Sequence, residues 1–257
     1  MPATTTRLAL VAALAVGCLS QWPAPADAFV VHQTSDGTPL HWPRTARPVA
    51  TLDPSFDALF TSGDAVQLVD AAASRWTASD CTQVEVQAAA GPACPGEDED
   101  DDVNCVYAVT DPLLWDGSAN QVALTLLHFD NRRGTIVDVD MAFNAAFFAF
   151  STEAICDATT ADLDAVVTHE FGHFFGLDHS DRPDATMAPT SGPGDCGKRD
   201  LAADDEAGLC FIYEHLSDED GGGCHGAPMS PATPVGLAVC AMLCYAARRR
   251  TLRRAHP

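Results

Sequence analysis

Residues 169–181 read HEFGHFFGLDHSD, and the spacing of the histidines in this stretch is the most informative feature of the sequence. His169 and His173 are four residues apart, so on a helix they lie on one face, one turn apart, where two imidazoles can bind one metal ion. Gly176 permits a sharp exit from the helix, because glycine reaches backbone conformations closed to other residues. The turn brings His179 back as a third ligand. Three protein ligands leave a fourth position for water, which is typical of a catalytic zinc site.

Glu170 follows the first histidine and would lie beside the metal rather than bind it. Its carboxylate can take a proton from a water at the metal and later deliver that proton to a leaving amine. We therefore interpret Glu170 as the general base. A single helical histidine is more often an ordinary surface or core residue, but the four residues together favour a zinc hydrolase.

The patterns on either side of this stretch predict a domain that mixes helices and strands. Residues 64–78 carry apolar side chains at three- and four-residue spacing, which indicates a helix. A second helix over 160–175 would carry the histidines, with Thr159 or Thr160 as its N-cap. The other predicted elements are a helix at 201–214 and strands at 49–52, 84–86, 105–110, 122–129 and 135–143.

The composition is strongly acidic, with 36 acidic against 14 basic residues and a net charge of −22. Such a chain repels phosphate backbones, so we expect no nucleic-acid partner. Solubility is the simplest explanation of the acidity.

The N-terminal residues 1–28 have the three parts of a signal peptide. Arg7 supplies the positive charge, an apolar run follows from Leu8 to Leu19, and Ala26-Asp27-Ala28 fits a cleavage site. Export favours disulfides among the cysteines of the following domain, but the sequence does not choose among the possible pairings. These cysteines are Cys81, Cys94, Cys105, Cys156, Cys196 and Cys210.

The C-terminal residues differ in composition from the rest. Residues 218–230 form a polar, glycine-rich linker that contains Cys224, and residues 231–257 combine an apolar stretch with an arginine cluster. The apolar stretch is near the lower length limit for a membrane-spanning helix, and the arginines would remain on the cytoplasmic side. A buried tail is the alternative.

The HExxHxxGxxH pattern followed by Met187 resembles the signature of the metzincin clan. Ser180 directly after the third histidine, and the segment Leu201–Leu209, are similar to the matrixins, the matrix metalloproteinase family. Residues 29–46, punctuated by glycine and proline, are predicted to form an extended lead-in. The resemblance implies an α+β, zincin-like catalytic domain that follows it at 47–217. It also implies a mixed, mostly parallel, twisted sheet with three main helices, and a monomeric zinc endopeptidase that cleaves extended polypeptides.

The same resemblance implies roles for further residues. Met187 matches the Met-turn residue beneath the metal. Ala188, Pro189 and Thr190 match one wall of the pocket that takes the side chain after the scissile bond. The segment 138–143 matches an edge strand that pairs with substrate through main-chain hydrogen bonds; its residues proposed to bind substrate are Val139, Asp140 and Met141.

Two metal predictions depend on departures from the family pattern. Ala142 and Asn144 occupy the positions where a ligand of the structural zinc of animal matrixins would be expected, so we predict no second zinc of that kind. Ca²⁺ is an open possibility at the acidic run 97–102 or around Asp130, Asp138 and Asp140. A solvated acidic loop is an equally good interpretation of that run.

The tail resembles the tripartite C-terminal sorting signals of myxobacterial surface proteins. This resemblance implies that Cys224 is a processing and lipid-attachment residue and that the apolar segment is removed. A simple C-terminal membrane anchor is the alternative. Both place the catalytic domain outside the cytoplasm, at the cell surface or outer membrane.

Two other functions are compatible with the motif. The protein could be an inactive surface module for binding or adhesion, although zinc binding alone does not need Glu170. It could also be a zinc hydrolase that acts on a non-peptide substrate.

Overall fold

The computed structural model describes residues 28–60, 64–94, 103–153, 157–190, 192, 194–214 and 216, all of which belong to one compact unit that ends at Leu216. Residues 1–27 of the predicted signal peptide, the acidic run 97–102, the linker 218–230 with Cys224 and the apolar tail 231–257 lie outside the described residues. Across the described residues, no helix has both the length and the apolar character needed to cross a membrane.

The elements alternate between helices and strands along the chain. In order they are β1 (Val30–Val31), β2 (Val49–Leu52), α1 (Pro54–Asp57), α2 (Ala65–Thr77), β3 (Gln87–Ala90), β4 (Cys105–Val109), β5 (Ala123–Asp130), β6 (Thr135–Asn144), β7 (Phe150–Ser151), β8 (Ala161–Asp162), α3 (Leu163–Phe174), β9 (Leu177–Asp178), a 3₁₀ turn (Gly197–Arg199) and α4 (Ala203–Tyr213).

Five strands form the main sheet in the spatial order β3-β2-β4-β6-β5. Strands β3, β2, β4 and β6 run parallel to one another, and β5 alone runs antiparallel, paired with β6 through a hairpin. The three longer helices are α2, α3 and α4. The predicted α+β fold, with a mixed and mostly parallel sheet and three main helices, is therefore confirmed.

One apolar core joins the sheet to the helices. Helix α2 begins where the Asp64 side chain accepts a hydrogen bond from the Gln67 amide at 3.2 Å. It buries Val69 and Trp76, and the Trp76 indole nitrogen donates to the Thr168 carbonyl of α3 at 2.9 Å. This bond satisfies the only polar group of a fully buried indole and fixes α2 against the histidine-bearing helix.

Two of the predicted element boundaries were wrong. The strand expected at 84–86 begins later, at Gln87, because parallel pairing aligns Gln87 with Val49 of β2. Helix α3 is capped by Asp162, not by Thr159 or Thr160, because the Asp162 carboxylate accepts from the Ala165 amide at 2.8 Å.

The predicted edge strand was also wrong. The segment 138–143 lies in β6, which is enclosed between β4 and β5. Its residues Val139, Asp140 and Met141 are at most 2% exposed, so they cannot pair with a substrate from that position. The hairpin places β5 outside β6, and the edge strand on this side of the sheet is therefore β5.

The lead-in segment is tied to the loop that follows α3. Strand β1 pairs antiparallel with β9, and the His32 amide donates to the Gly176 carbonyl at 2.8 Å. Further on, the Trp42 indole nitrogen donates to the Phe174 carbonyl at 2.9 Å. These bonds satisfy backbone carbonyl groups at the end of α3, which would otherwise lack partners.

Disulfides connect distant parts of the described chain. Cys81 pairs with Cys210 and joins the end of α2 to α4, while Cys94 pairs with Cys105 at the start of β4. Cys196, just before the 3₁₀ turn, is disulfide-bonded as well. Cys156 lies outside the described residues.

Candidate metal centre and active site

Three histidines from α3 and the following loop converge on one point. One side-chain nitrogen from each of His169, His173 and His179 lies within 4.8 Å of the others. The Nε2 atoms of His173 and His179 are 3.3 Å apart. Nitrogens at this separation can all reach a single ion at the 2.0–2.1 Å distance typical of zinc.

Hydrogen bonds set which ring nitrogen of each helical histidine faces the centre. His169 Nδ1 lies 2.7 Å from the Thr186 carbonyl oxygen, and His173 Nδ1 lies 2.8 Å from the Leu177 carbonyl oxygen. A carbonyl oxygen only accepts, so each Nδ1 carries the proton and each Nε2 keeps its lone pair. Burial lowers the pKa of both imidazoles and favours their neutral form. This donor set fits a divalent zinc ion.

Two glycines allow the segments around the histidines to pack closely against one another. Gly176 has a φ of 98°, in the left-handed region that favours glycine, and a side chain there would run into the Leu40 backbone. Gly172, inside α3, lets the Met187 sulfur lie against the helix between the two ligand histidines, where any side chain would collide with it. Met187 therefore packs against α3 at Gly172, and its role as the Met-turn residue stays a prediction.

A buried carboxylate organises the Met-turn. Asp205, at 0% exposure in α4, accepts hydrogen bonds from the backbone amides of Thr186 at 2.8 Å and Met187 at 2.9 Å. It also accepts from the Ala202 amide at 2.8 Å and so closes the first turn of its own helix. Because the Thr186 carbonyl in turn orients His169, Asp205 acts on the metal centre through the backbone.

Glu170 lies next to the histidines and is almost completely buried, with 4% of its surface exposed. Burial raises the pKa of its carboxyl to about 7, against smaller opposing effects of the Thr125 hydrogen bond and of His179. The Thr125 hydroxyl, on β5, donates to Glu170 Oε2 at 2.5 Å. A carboxyl with a pKa near neutrality can both accept and release a proton at physiological pH.

A cavity of about 400 Å³ opens beside these groups. The three histidines and Glu170 border it together with the start of β5 (Ala123 to Thr125) and the segment Ala188–Thr190. The predicted wall residues Ala188, Pro189 and Thr190 thus border the same cavity as the metal centre. The predicted β6 residues Val139, Asp140 and Met141 do not border it.

Three residues at this cavity were missed by the sequence analysis. His32 reaches it from the lead-in segment, Thr125 from β5, and Lys198 from the 3₁₀ turn. No local motif marks any of them, because each is brought to the site by pairing or packing between segments distant in the chain. Asp205, which does not border the cavity, was noted only as part of the resemblance in 201–209.

A second group of potential ligands lies at the other end of the β5–β6 hairpin. His128, Asp138 and Asp140 offer ligand atoms within 4.8 Å of one another. The sequence predicts the two aspartates to act together with Asp130, but the strand register puts His128 opposite Asp138 and leaves Asp130 opposite Thr135 at the turn. Calcium binding in this region stays a prediction.

Ala142 and Asn144, the basis for predicting no second zinc, both have defined contacts in the structure. Ala142 is buried in β6, and the Asn144 side-chain amide donates to the Gln121 carbonyl at 2.8 Å and accepts from the Phe147 amide at 3.2 Å. Asn144 thereby ties the end of β6 to the start of β5. The absence of a second, structural zinc stays a prediction.

A helix-borne histidine pair, a glycine turn, a third histidine and a methionine beneath them define a metzincin-type site. Residues 69–214, more than half of the 257-residue chain, match the family model described as Matrixin. The chain belongs to the matrixin family, whose members are zinc-dependent metalloendopeptidases.

Curated relatives agree with this assignment over short segments. The chain is 45% identical over 65 residues to Metalloendoproteinase 5-MMP of Arabidopsis thaliana, 48% over 59 residues to Matrix metalloproteinase-25 of Homo sapiens, and 46% over 51 residues to Matrilysin of Homo sapiens. These segments cover 25%, 22% and 20% of this chain. They span only 18%, 10% and 19% of the respective relatives.

Replacing the buried carboxylate that organises the Met-turn should weaken the metal centre without touching a ligand. In Asp205→Asn, one of the bonds to the Thr186 and Met187 amides is lost or weakened, at a cost of about 1–3 kcal/mol in the free energy of unfolding. We also expect weaker zinc binding, since the carbonyl that orients His169 moves with this turn. Denaturant unfolding and competition with a zinc chelator measure the two effects. The neighbouring Glu206→Gln, at an exposed position of the same helix, serves as the control and should change neither.

Proposed function

We propose that this chain is a zinc-dependent endopeptidase that hydrolyses peptide bonds of extended polypeptides, with His169, His173 and His179 as zinc ligands and Glu170 as the general base. The observation that carries the proposal is the position of Glu170 beside three histidines whose lone pairs converge. Zinc bound there supplies a Lewis acid that polarises a carbonyl group and makes a nearby water more acidic.

The protein's own part in the reaction is to move one proton. Glu170 accepts it from the attacking water and delivers it to the nitrogen of the leaving amine. The Thr125 hydroxyl holds Oε2 of Glu170, so that Oε1 is the oxygen available to the water. The burial of Glu170 keeps bulk water from competing for that proton.

Strand β5 is the proposed docking edge for the substrate backbone. It is the outermost strand on its side of the sheet, and its first residues border the cavity beside Glu170. An extended polypeptide can add to this edge through main-chain hydrogen bonds, while Ala188, Pro189 and Thr190 form the opposite wall for the side chain after the scissile bond. This arrangement favours a peptide over a small non-peptide substrate.

Export remains part of the proposal. The N-terminal residues 1–28 have the pattern of a signal peptide, and disulfides at Cys81–Cys210 and Cys94–Cys105 suit an oxidising compartment. We propose that the monomeric domain is held at the cell surface through the tail around Cys224.

Replacing the general base separates metal binding from chemistry. Glu170→Gln is expected to retain about one zinc per protein and to lose peptidase activity by about 10²–10⁴-fold, since an amide cannot accept the proton. His173→Ala, which removes a ligand, should lose both zinc and activity. Metal analysis and a casein or gelatin assay, with and without a chelator, measure the two properties. Full activity in Glu170→Gln would contradict the mechanism, and an intact zinc site without peptidase activity in the natural sequence would favour a binding module.

The hydroxyl of Thr125 should matter for kcat more than for KM, because it orients the base and not the substrate. Thr125→Val keeps the shape of the side chain but removes the donor to Glu170, and we expect kcat to fall by about tenfold, the equivalent of one hydrogen bond. Thr125→Ser restores a hydroxyl at the same position and should recover most of the rate. Steady-state kinetics on a single peptide provide the comparison. Equal kcat in the valine and serine variants would contradict the role of the Thr125 hydroxyl in orienting Glu170.

A further inference from the structure

The cavity that takes the side chain after the scissile bond contains a buried ammonium group. Lys198 is 5% exposed and borders the cavity together with His169 and Thr190. A lysine this deeply buried is uncommon in proteins unless it is paired. The burial of Lys198 must therefore be compensated by structural partners, by a bound ligand or by both.

Two backbone carbonyl groups accept hydrogen bonds from the Lys198 ammonium group, which uses two of its three N–H donors. Lys198 Nζ donates to the Ala188 carbonyl at 2.5 Å and to the Thr190 carbonyl at 2.8 Å. An ammonium group has three N–H donors and no acceptor. Among the described residues, no carboxylate forms an ion pair with Lys198. The ion pairs found there join carboxylates to arginines or to a histidine.

The turn that carries Lys198 is fixed on both sides. Cys196, two residues earlier, is disulfide-bonded, and the Arg199 guanidinium forms an ion pair with Asp162 at the start of α3. The side chain therefore reaches the cavity from a rigid position, so that little conformational entropy is lost when a ligand binds it.

Nearby charges partly offset the effect of burying Lys198. Burial is the larger effect and lowers the pKa of the ammonium group from its ordinary value, while the carboxylates of Asp195 and Asp205 act to raise it. The cavity lining also includes apolar residues, among them Val166 of α3 and Phe148. A side chain with an apolar stem and an anionic end matches this combination, because the stem packs against the walls and the end meets the ammonium.

We propose that Lys198 is the specificity-determining residue of this cavity and that it selects polypeptides with glutamate directly after the scissile bond. This inference rests on the proposed function. The glutamate carboxylate would take the third N–H of Lys198 as a charge-assisted hydrogen bond, while its two methylene groups lie between the apolar walls. Glutamine would keep the geometry without the charge, and leucine would leave the N–H without an acceptor.

Three peptides that differ only at this position, with glutamate, glutamine or leucine, test the inference. The natural sequence should cleave the glutamate peptide with a kcat/KM at least about tenfold above that of the leucine peptide, with glutamine between them. Zinc-loaded Glu170→Gln should bind the three peptides in the same order when dissociation constants are measured by calorimetry. The binding order does not depend on catalysis, so it decides this inference even if no peptide is hydrolysed, an outcome that would contradict the proposed function.

Lys198→Met has a similar length and no charge, and it should reverse the ratio of glutamate to leucine. Lys198→Arg retains a cation and should keep a preference for glutamate. Arg182→Met removes a partly exposed cation that is paired with Asp184 and does not border the cavity, and the ratio should not change. A preference for leucine in the natural sequence, or a glutamate preference that persists in Lys198→Met, would overturn the inference. If Lys198→Met does not fold, equal affinity of the zinc-loaded Glu170→Gln protein for glutamate and glutamine would overturn it.

Discussion

Two backbone carbonyl groups hold the imidazoles on which the site depends. The Thr186 oxygen fixes His169 and the Leu177 oxygen fixes His173, so that both Nε2 lone pairs face the same point as His179. The ligands are thereby oriented by main chain that follows the helix, and not by the helix alone. An intact histidine motif on a displaced loop would not form this centre.

Much of the remaining structure keeps those two carbonyl groups in place. Asp205 fixes the turn that contains Thr186, and Gly172 leaves room for Met187 beneath the helix. The pairing of β1 with β9 holds the segment that contains Leu177. The β5–β6 hairpin then brings the Thr125 hydroxyl to Glu170. Sheet, helices and lead-in thus all contribute to the surroundings of the three histidines.

The sequence predicted best what local spacing determines. The three histidines, Glu170 and the turn at Gly176 lie within eleven residues, so helical periodicity was enough to group them. The order of strands was harder, because a partly alternating β6 reads as an edge strand until the hairpin is known to lie outside it. Thr125 and Lys198 carry no local signal at all, since only tertiary packing brings them to the cavity. The family resemblance singled out Met187, which spacing alone would not have done.

The most direct test of the account is a zinc titration of the metal-free protein, with peptidase activity and bound metal measured on the same sample. The account predicts no activity without metal, a linear rise as zinc is added, and a plateau at one equivalent, with the zinc bound by His169, His173 and His179. Activity that persists in the metal-free protein, or a protein that binds one zinc at these histidines and cleaves no polypeptide, would contradict it.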